Sequence, residues 1–286
     1  MIPSEFEYFR AGSVKEALEL LNEKGPDAKI LAGGHSLIPA MKLRFNNPGA
    51  LIDIGGISEL NYIREENDVL AIGAATTHAD LAASGLLNSS LPMLAETAAT
   101  IGDIQVRNKG TIGGSLAHAD PAADWPAALL AAEAEVIITS RSESRVVAIA
   151  DFFQGLFTTD LGDAELITEI RVPLPPANTR STYLKFEQPA SRFAIVGCAA
   201  MVTRNNGSFG NVRVAFTGVS ASPFRDHGIE QALEGQPADG AQLHEACKLA
   251  GNGVDVMGDH FASKEYRTHL AVVFAERALK VVTGQG

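Results

Sequence analysis

The alternation of apolar and polar residues divides the chain into segments of different period. "EYFRA" from Glu7 reads as extended, "SVKEALELLNEKG" has a helical period with Ser13 as N-cap and Gly25 as terminator, and "AKILAGG" returns to a strand, so the chain opens as βαβ. "LIPAMKLRF" then predicts a short helix and "ALIDI" another strand, completing one small unit. A second unit begins with "LNYIREENDVLAIGAATT", two extended runs joined by a polar turn, and continues through the helical stretches "HADLAASGLL" and "LPMLAETAATI". "DPAADWPAALLAAEA" reads as a helix with Asp120 at the N-cap and Pro121 at its first position. Strands follow at "EVIITS" and "SRVVAIADFF", and "ELITEIRVPLPP" closes the unit.

The proline-rich "VPLPPANTRS" marks a boundary, because proline continues neither a helix nor a central strand. Beyond it, "TYLKFEQ", "RFAIVGCAAMVTR" and "NVRVAFTGVS" predict a three-stranded antiparallel meander with "NNG" at its middle turn. The helical stretches "FRDHGIEQALEG", "GAQLHEACKLAG" and "KEYRTHLAVVFAERALKVVTG" are placed to cover one face of that sheet. The pattern thus predicts an α+β chain. Its first domain covers residues 1–176, in subdomains of about 1–56 and 57–176, and an α+β domain occupies 177–286.

Composition narrows the function. The chain has 286 residues, 46% of them hydrophobic and 20% charged, which is globular in character, and no apolar stretch approaches the ~20 residues of a membrane span. The start "MIPSEFEYFR" lacks the basic and apolar regions of a secretory signal, so a cytoplasmic location is expected. A net charge of −11 disfavours a nucleic-acid partner. Cys198 and Cys247 allow a single disulfide but read rather as isolated thiols, and two cysteines are too few to hold an iron–sulfur cluster or structural zinc.

The chemistry concentrates in two double glycines, "LAGGHSLIP" from Leu31 and "GTIGGSLAHADPAADWP" from Gly110. Neither fits G-x-G-x-x-G or the P-loop pattern, and no H-E-x-x-H or G-x-S-x-G occurs. Glycine turns line up backbone N–H groups into a nest for anionic oxygens, and a helix beginning there adds its dipole. Two nests facing one another suit a diphosphate, with Ser36, Thr111 and Ser115 adding hydroxyls, which points to a dinucleotide lying between two subdomains.

Plainer readings stand beside these. Gly33, Gly34, Gly113 and Gly114 each suit an ordinary tight turn, and His35 and His118 suit local hydrogen bonding. Asp120 suits an N-cap alone, whereas Asp124 suits either a helix-dipole partner or a carboxylate gripping a ribose diol. Lys185 suits a solvated edge strand, and Phe193 and Trp125 suit the core.

Taken together, "AGGHSLIPAMK", "IGAATTHADL", "QVRNKGTIGGSLAHADPAADWPA", "ELITEIRVP" and "KFEQPASRFAIVG" resemble, in order and nearly end to end, the FAD-binding medium subunit of the molybdenum hydroxylases. The pattern is most similar to the medium subunits of aerobic carbon monoxide dehydrogenase and of bacterial N-heterocycle hydroxylases. The resemblance implies a two-subdomain FAD-binding domain of the PCMH type and a non-covalently bound FAD. It also implies two partners, a large subunit with the molybdenum cofactor and a small one with two [2Fe–2S] clusters, assembled as a dimer of heterotrimers. Electrons would pass from the clusters through the flavin to an external acceptor. A stand-alone FAD-dependent oxidoreductase of the same superfamily is the alternative.

By the same resemblance, Ala32, Gly33, Gly34, His35, Ser36 and Leu37, with Thr111, Ile112, Gly113, Gly114 and Ser115, embrace the FAD diphosphate. Asp124 matches a carboxylate near the adenosine ribose, Ile101 and Ile167 match apolar contacts, and Lys185 matches a lysine close to the flavin ring. Phe193 stands where carbon monoxide dehydrogenases tend to carry a tyrosine shielding the isoalloxazine. Ser115 replaces an asparagine, and "LAHADPAAD" departs from the "GDP"-type loop. These departures favour an organic substrate over carbon monoxide.

Overall fold

The computed structural model describes residues 1–205 and 207–284. In the first unit, strand β1 (Glu7–Arg10), helix α1 (Val14–Lys24), strand β2 (Ala28–Leu31), helix α2 (Leu37–Lys42) and strand β3 (Ala50–Asp53) build a parallel sheet of order β1-β3-β2. The ends of α1 are where the sequence puts them. Ser13 accepts the Glu16 N–H, and Gly25 leaves the helix at φ +69°, a conformation that costs glycine little. Ala17, Leu18 and Leu21 bury one face of α1 against Ala50 and Ile52.

The second unit is a five-stranded antiparallel sheet flanked by short helices. In chain order it contains β4 (Ile63–Glu66), β5 (Val69–Gly73), α3 (His78–Ala83), α4 (Gly85–Ser90), α5 (Pro92–Thr100), α6 (Ile104–Arg107), α7 (Ile112–His118) and α8 (Trp125–Ala131). Then come β6 (Glu135–Thr139), β7 (Ser144–Ala148), α9 (Ile149–Phe152), the small hairpin β8 (Phe153–Gly155) and β9 (Thr158–Thr159), and β10 (Leu166–Pro173). The sheet order is β4-β5-β10-β6-β7, so the last strand inserts at the centre and ties both ends of the unit together.

The third unit pairs β11 (Thr179–Glu187), β12 (Ala194–Asn205) and β13 (Ser208–Thr217) as the expected meander, joined at the edge by the two-residue β14 (Phe224–Arg225). Helices α10 (His227–Leu233), α11 (Gly240–Cys247) and α12 (Lys264–Thr283) follow. β12 is buried along nearly its whole length because both faces are covered, which is why it reads as continuous rather than alternating apolar sequence. Cys198, Ala200 and Val202 pack with the helices, while Ala199 and Met201 join the core of the second unit. Both cysteines are buried and free. Of the "NNG" turn, Asn206 lies outside the described residues, and Gly207 has φ +86°.

Three local expectations change. The second double glycine is not a loop: Gly113 and Gly114 form the first turn of α7, where Thr111 caps the helix by accepting the Gly114 N–H. Asp120 is not a helix N-cap, because α8 begins only at Trp125 with Asp124 preceding it. Residues 121–123 are held out of the helix by the third unit. The Pro121 carbonyl accepts from Gly218 N–H and Thr217 Oγ1, the Ala122 carbonyl from Ala194 N–H, and the Ala123 carbonyl from Thr217 Oγ1. The strand expected through "SRVVAIADFF" is interrupted by α9. No helix among the described residues is long and apolar enough to cross a membrane.

Candidate functional site

The three units leave a cleft of about 480 Å³ between them. Every residue that the resemblance assigns to cofactor binding lines it except Ile112 and Lys185. Ile112 is fully buried in the core of the second unit, and the Lys185 side chain lies beneath the cleft surface, 3% exposed. The volume falls within the range of about 300–1,000 Å³ common to small-molecule sites.

The turn after β2 forms one lip. Gly34 has φ +73°, and the N–H groups of Gly33, Gly34, His35 and Ser36 meet no protein acceptor among the described residues. Consecutive free amides at a cleft wall form a ready cradle for anionic oxygens. The opposite lip differs from expectation. The amides of Ile112 and Gly113 are taken by the Thr76 and Ala74 carbonyls, and those of Gly114 and Ser115 by Thr111. That lip therefore offers the Ser115 hydroxyl and close backbone approach rather than a second nest.

The two lips touch. A Cβ on Gly33 would lie 2.0 Å from the Lys109 carbonyl oxygen, and one on Gly114 would press on Thr111 Oγ1 at 2.8 Å while standing 3.8 Å from Ala32 Cβ. Glycine is required at Gly33 because backbone meets backbone, and at Gly113 because Ala74 occupies the space a Cβ would need. Ile101 and Ile167 supply apolar wall, and the Phe193 ring stands 43% exposed at the cleft rather than in the core.

A buried polar cluster forms part of the floor. Lys185 Nζ lies 3.1 Å from both oxygens of Asp124, which also accepts the Tyr183 hydroxyl at 2.6 Å. Tyr183 and Lys185 share a face of β11, and Gly197 opposite keeps that face clear, since a Cβ there would lie 2.2 Å from the Tyr183 oxygen. Burial pushes the Asp124 carboxyl above its ordinary range against the pull of Lys185, and burial with the adjacent carboxylate drives Tyr183 well upward. Lys185 also donates to the Arg192 carbonyl at 2.6 Å and so anchors the loop that carries Phe193. Lys185 is thus no solvated edge residue, and both Asp124 oxygens are engaged within the protein.

Residues beyond the expected set also line the cleft. His78 enters from the head of α3, and the segment Thr159 to Leu166 closes one side. Arg145 holds that segment, with a two-pronged bond to Glu165 at 2.8 and 2.7 Å and further bonds to the Asp160 side chain and carbonyl. Nothing local in "TTHADL" or "SRVVA" marks these residues, because their partners lie tens of residues away.

The family described as "FAD binding domain in molybdopterin dehydrogenase" matches residues 4–175, and "CO dehydrogenase flavoprotein C-terminal domain" matches residues 181–282. The carbon monoxide dehydrogenase medium chain of Hydrogenophaga pseudoflava is 40% identical over 98% of this chain and 97% of its own. The glyceraldehyde dehydrogenase medium chain of Sulfolobus acidocaldarius is 36% identical over 99% of this chain and 100% of its own. Among solved structures, carbon monoxide dehydrogenase from Hydrogenophaga pseudoflava lacking the Mo-pyranopterin moiety of its cofactor superposes with a TM-score of 0.96 at 40% identity, covering 100% of this chain and 99% of that one.

Proposed function

Because this chain belongs to the FAD-binding medium-chain family of the molybdopterin dehydrogenases, we propose that it is the flavin-carrying electron-transfer subunit of a heterotrimeric molybdenum hydroxylase. The observation that carries this reading is the convergence of two glycine segments, distant in sequence, on one cleft. The residues present fit a dinucleotide: free amides at Gly33 to Ser36 meet anionic oxygens, Gly114 lets a ligand lie against backbone, and the exposed Phe193 ring offers an apolar face.

When bound, FAD supplies the redox chemistry, accepting electrons from iron–sulfur clusters of a small partner and yielding them to an external acceptor. This chain's residues bind and orient. Ser36 and Ser115 add hydroxyl donors at the two lips, Ile101 and Ile167 hold the flanks dry, and Lys185 fixes the Phe193 loop while neutralising Asp124. Asp124, with its oxygens engaged, serves the floor of the site. Substrate choice would rest with the molybdenum subunit, and two such heterotrimers would form the assembly.

The test is co-expression with candidate large and small subunits. The expected complex is yellow, holds all three chains, and releases its FAD on acid precipitation. A chain that stays colourless in excess FAD, or oxidises substrate alone, overturns the assignment.

A further inference from the structure

We propose that His78 is a ligand-binding residue of this cleft, an Nε2–H donor to an anionic phosphate oxygen of the bound dinucleotide. The inference rests on reading the cleft as the FAD site, and adds to it a donor from α3.

The argument begins inside the protein. Trp125 is fully buried, and its indole Nε1–H donates to His78 Nδ1 at 3.2 Å. An indole nitrogen only donates, so Nδ1 must be the bare, accepting nitrogen and the ring proton sits on Nε2. The bond fixes both tautomer and ring orientation. Protonation of Nδ1 would break it, and burial together with the neighbouring His35 and Arg107 lowers the His78 pKa to about 4, so the ring is neutral at physiological pH.

Nε2 is then a donor in search of an acceptor. His78 is 4% exposed and lines the cleft, yet Nε2 has no protein partner among the described residues. Among the described residues, the buried side-chain nitrogens left without a partner are Arg213 Nε and Arg267 Nε, so Nε2 keeps its solvent contact, through the cleft. Its place is fixed relative to the glycine lip: the His78 N–H donates to the Gly110 carbonyl at 2.9 Å, and a Cβ on Gly110 would lie 2.9 Å from Nε2. The guanidinium of Arg107 reaches His78, which makes this wall suited to an anionic oxygen rather than a cation. A donor locked in one tautomer by a buried indole needs no reorganisation to receive a phosphate.

The two functions of the ring are separable by substitution. His78→Asn keeps an acceptor near Nδ1 for Trp125 and removes the cleft donor, whereas His78→Gln places an amide N–H near Nε2. The assay is FAD titration of the flavin-stripped full-length chain, followed by flavin fluorescence. In parallel, the indole Nε1–H resonance of the chain's single tryptophan is observed. Losing one hydrogen bond to a charged acceptor should weaken FAD about tenfold to a hundredfold in His78→Asn, with His78→Gln within about threefold of the parent. In the parent, FAD shifts the indole resonance, because a phosphate accepting from Nε2–H makes Nδ1 a stronger acceptor. A His78→Asn chain that binds FAD as tightly as the parent overturns the proposal, as does equal weakening in both variants. A parent chain that binds no FAD overturns instead the reading of the cleft.

Discussion

Replacing Lys185 by methionine separates two accounts of what this lysine does. If it acts as a lone cation beside a flavin, its removal lowers the flavin potential by tens of millivolts, about 30 mV for each ~1.4 kcal/mol of lost stabilisation of a two-electron reduced form. The structure makes it half of a buried ion pair. Lys185 and Asp124 side chains are 3% and 5% exposed and meet at 3.1 Å, so the pair carries no net charge. Removing one member of such a pair costs about 3–5 kcal/mol, because the other charge is left buried and uncompensated. The Asp124 carboxyl, already raised by burial, loses its opposing ammonium and is pushed further towards its neutral form. In that form net charge is zero before and after, so the potential stays within about 10 mV while stability falls by roughly 3 kcal/mol or more. Urea unfolding followed by Trp125 fluorescence reads the first quantity and a redox titration of the flavin reads the second. The double variant Lys185→Met, Asp124→Asn should recover most of the lost stability. An unchanged unfolding free energy with a potential lowered by tens of millivolts would refute the argument.

Three further outcomes follow from the same geometry. His78 has a folded pKa of about 4 against an ordinary 6.5, so its contribution to stability is present above pH 6.5 and is lost as pH falls towards 4, by roughly 3 kcal/mol; unfolding curves of the parent and His78→Asn compared across that window should show this slope in the parent alone. Gly114→Val should cost only about 1 kcal/mol, the worth of the displaced Thr111 cap, yet abolish flavin binding, whereas Gly33→Ala should lower the melting temperature more, since backbone must move; thermal melts with and without FAD distinguish them. Tyr183→Phe removes a 2.6 Å donor from a buried carboxylate and should cost about 1.5–3 kcal/mol in urea unfolding, with equal stability to the parent counting against the cluster.

What could be read from the sequence was local. Ser13 and Gly25 bracket α1 by chemistry contained within a few residues, and the first glycine turn opens as a cradle because Gly34 takes positive φ. Partners from afar decided the rest. Two prolines, Pro121 and Pro126, are equally suited to open a helix, and the choice of the second is made by Ala194, Thr217 and Gly218 of the third unit, which bind the carbonyls of 121–123. Lys185 lies on an edge strand, where a lysine is ordinarily wet, and only Asp124 from the second unit makes it dry. Phe193 heads an apolar strand and nevertheless faces the cleft, where a core assignment from hydrophobicity fails. His78 carried no mark because its meaning comes from an indole 47 positions downstream.

The wall built by Ser191, Arg192 and Phe193 comes from the turn between β11 and β12, far along the chain from the glycine lips. Domains emerging from the ribosome fold as units, the N-terminal ones first. The core of the second unit itself takes Tyr183, Ala199, Met201 and Ala215 from the third, so that core and the last side of the cleft are completed together, once β11, β12 and β13 have emerged and paired. Enclosure of the cleft is then a late event in the life of the chain, since its walls are drawn from nearly the whole of the sequence.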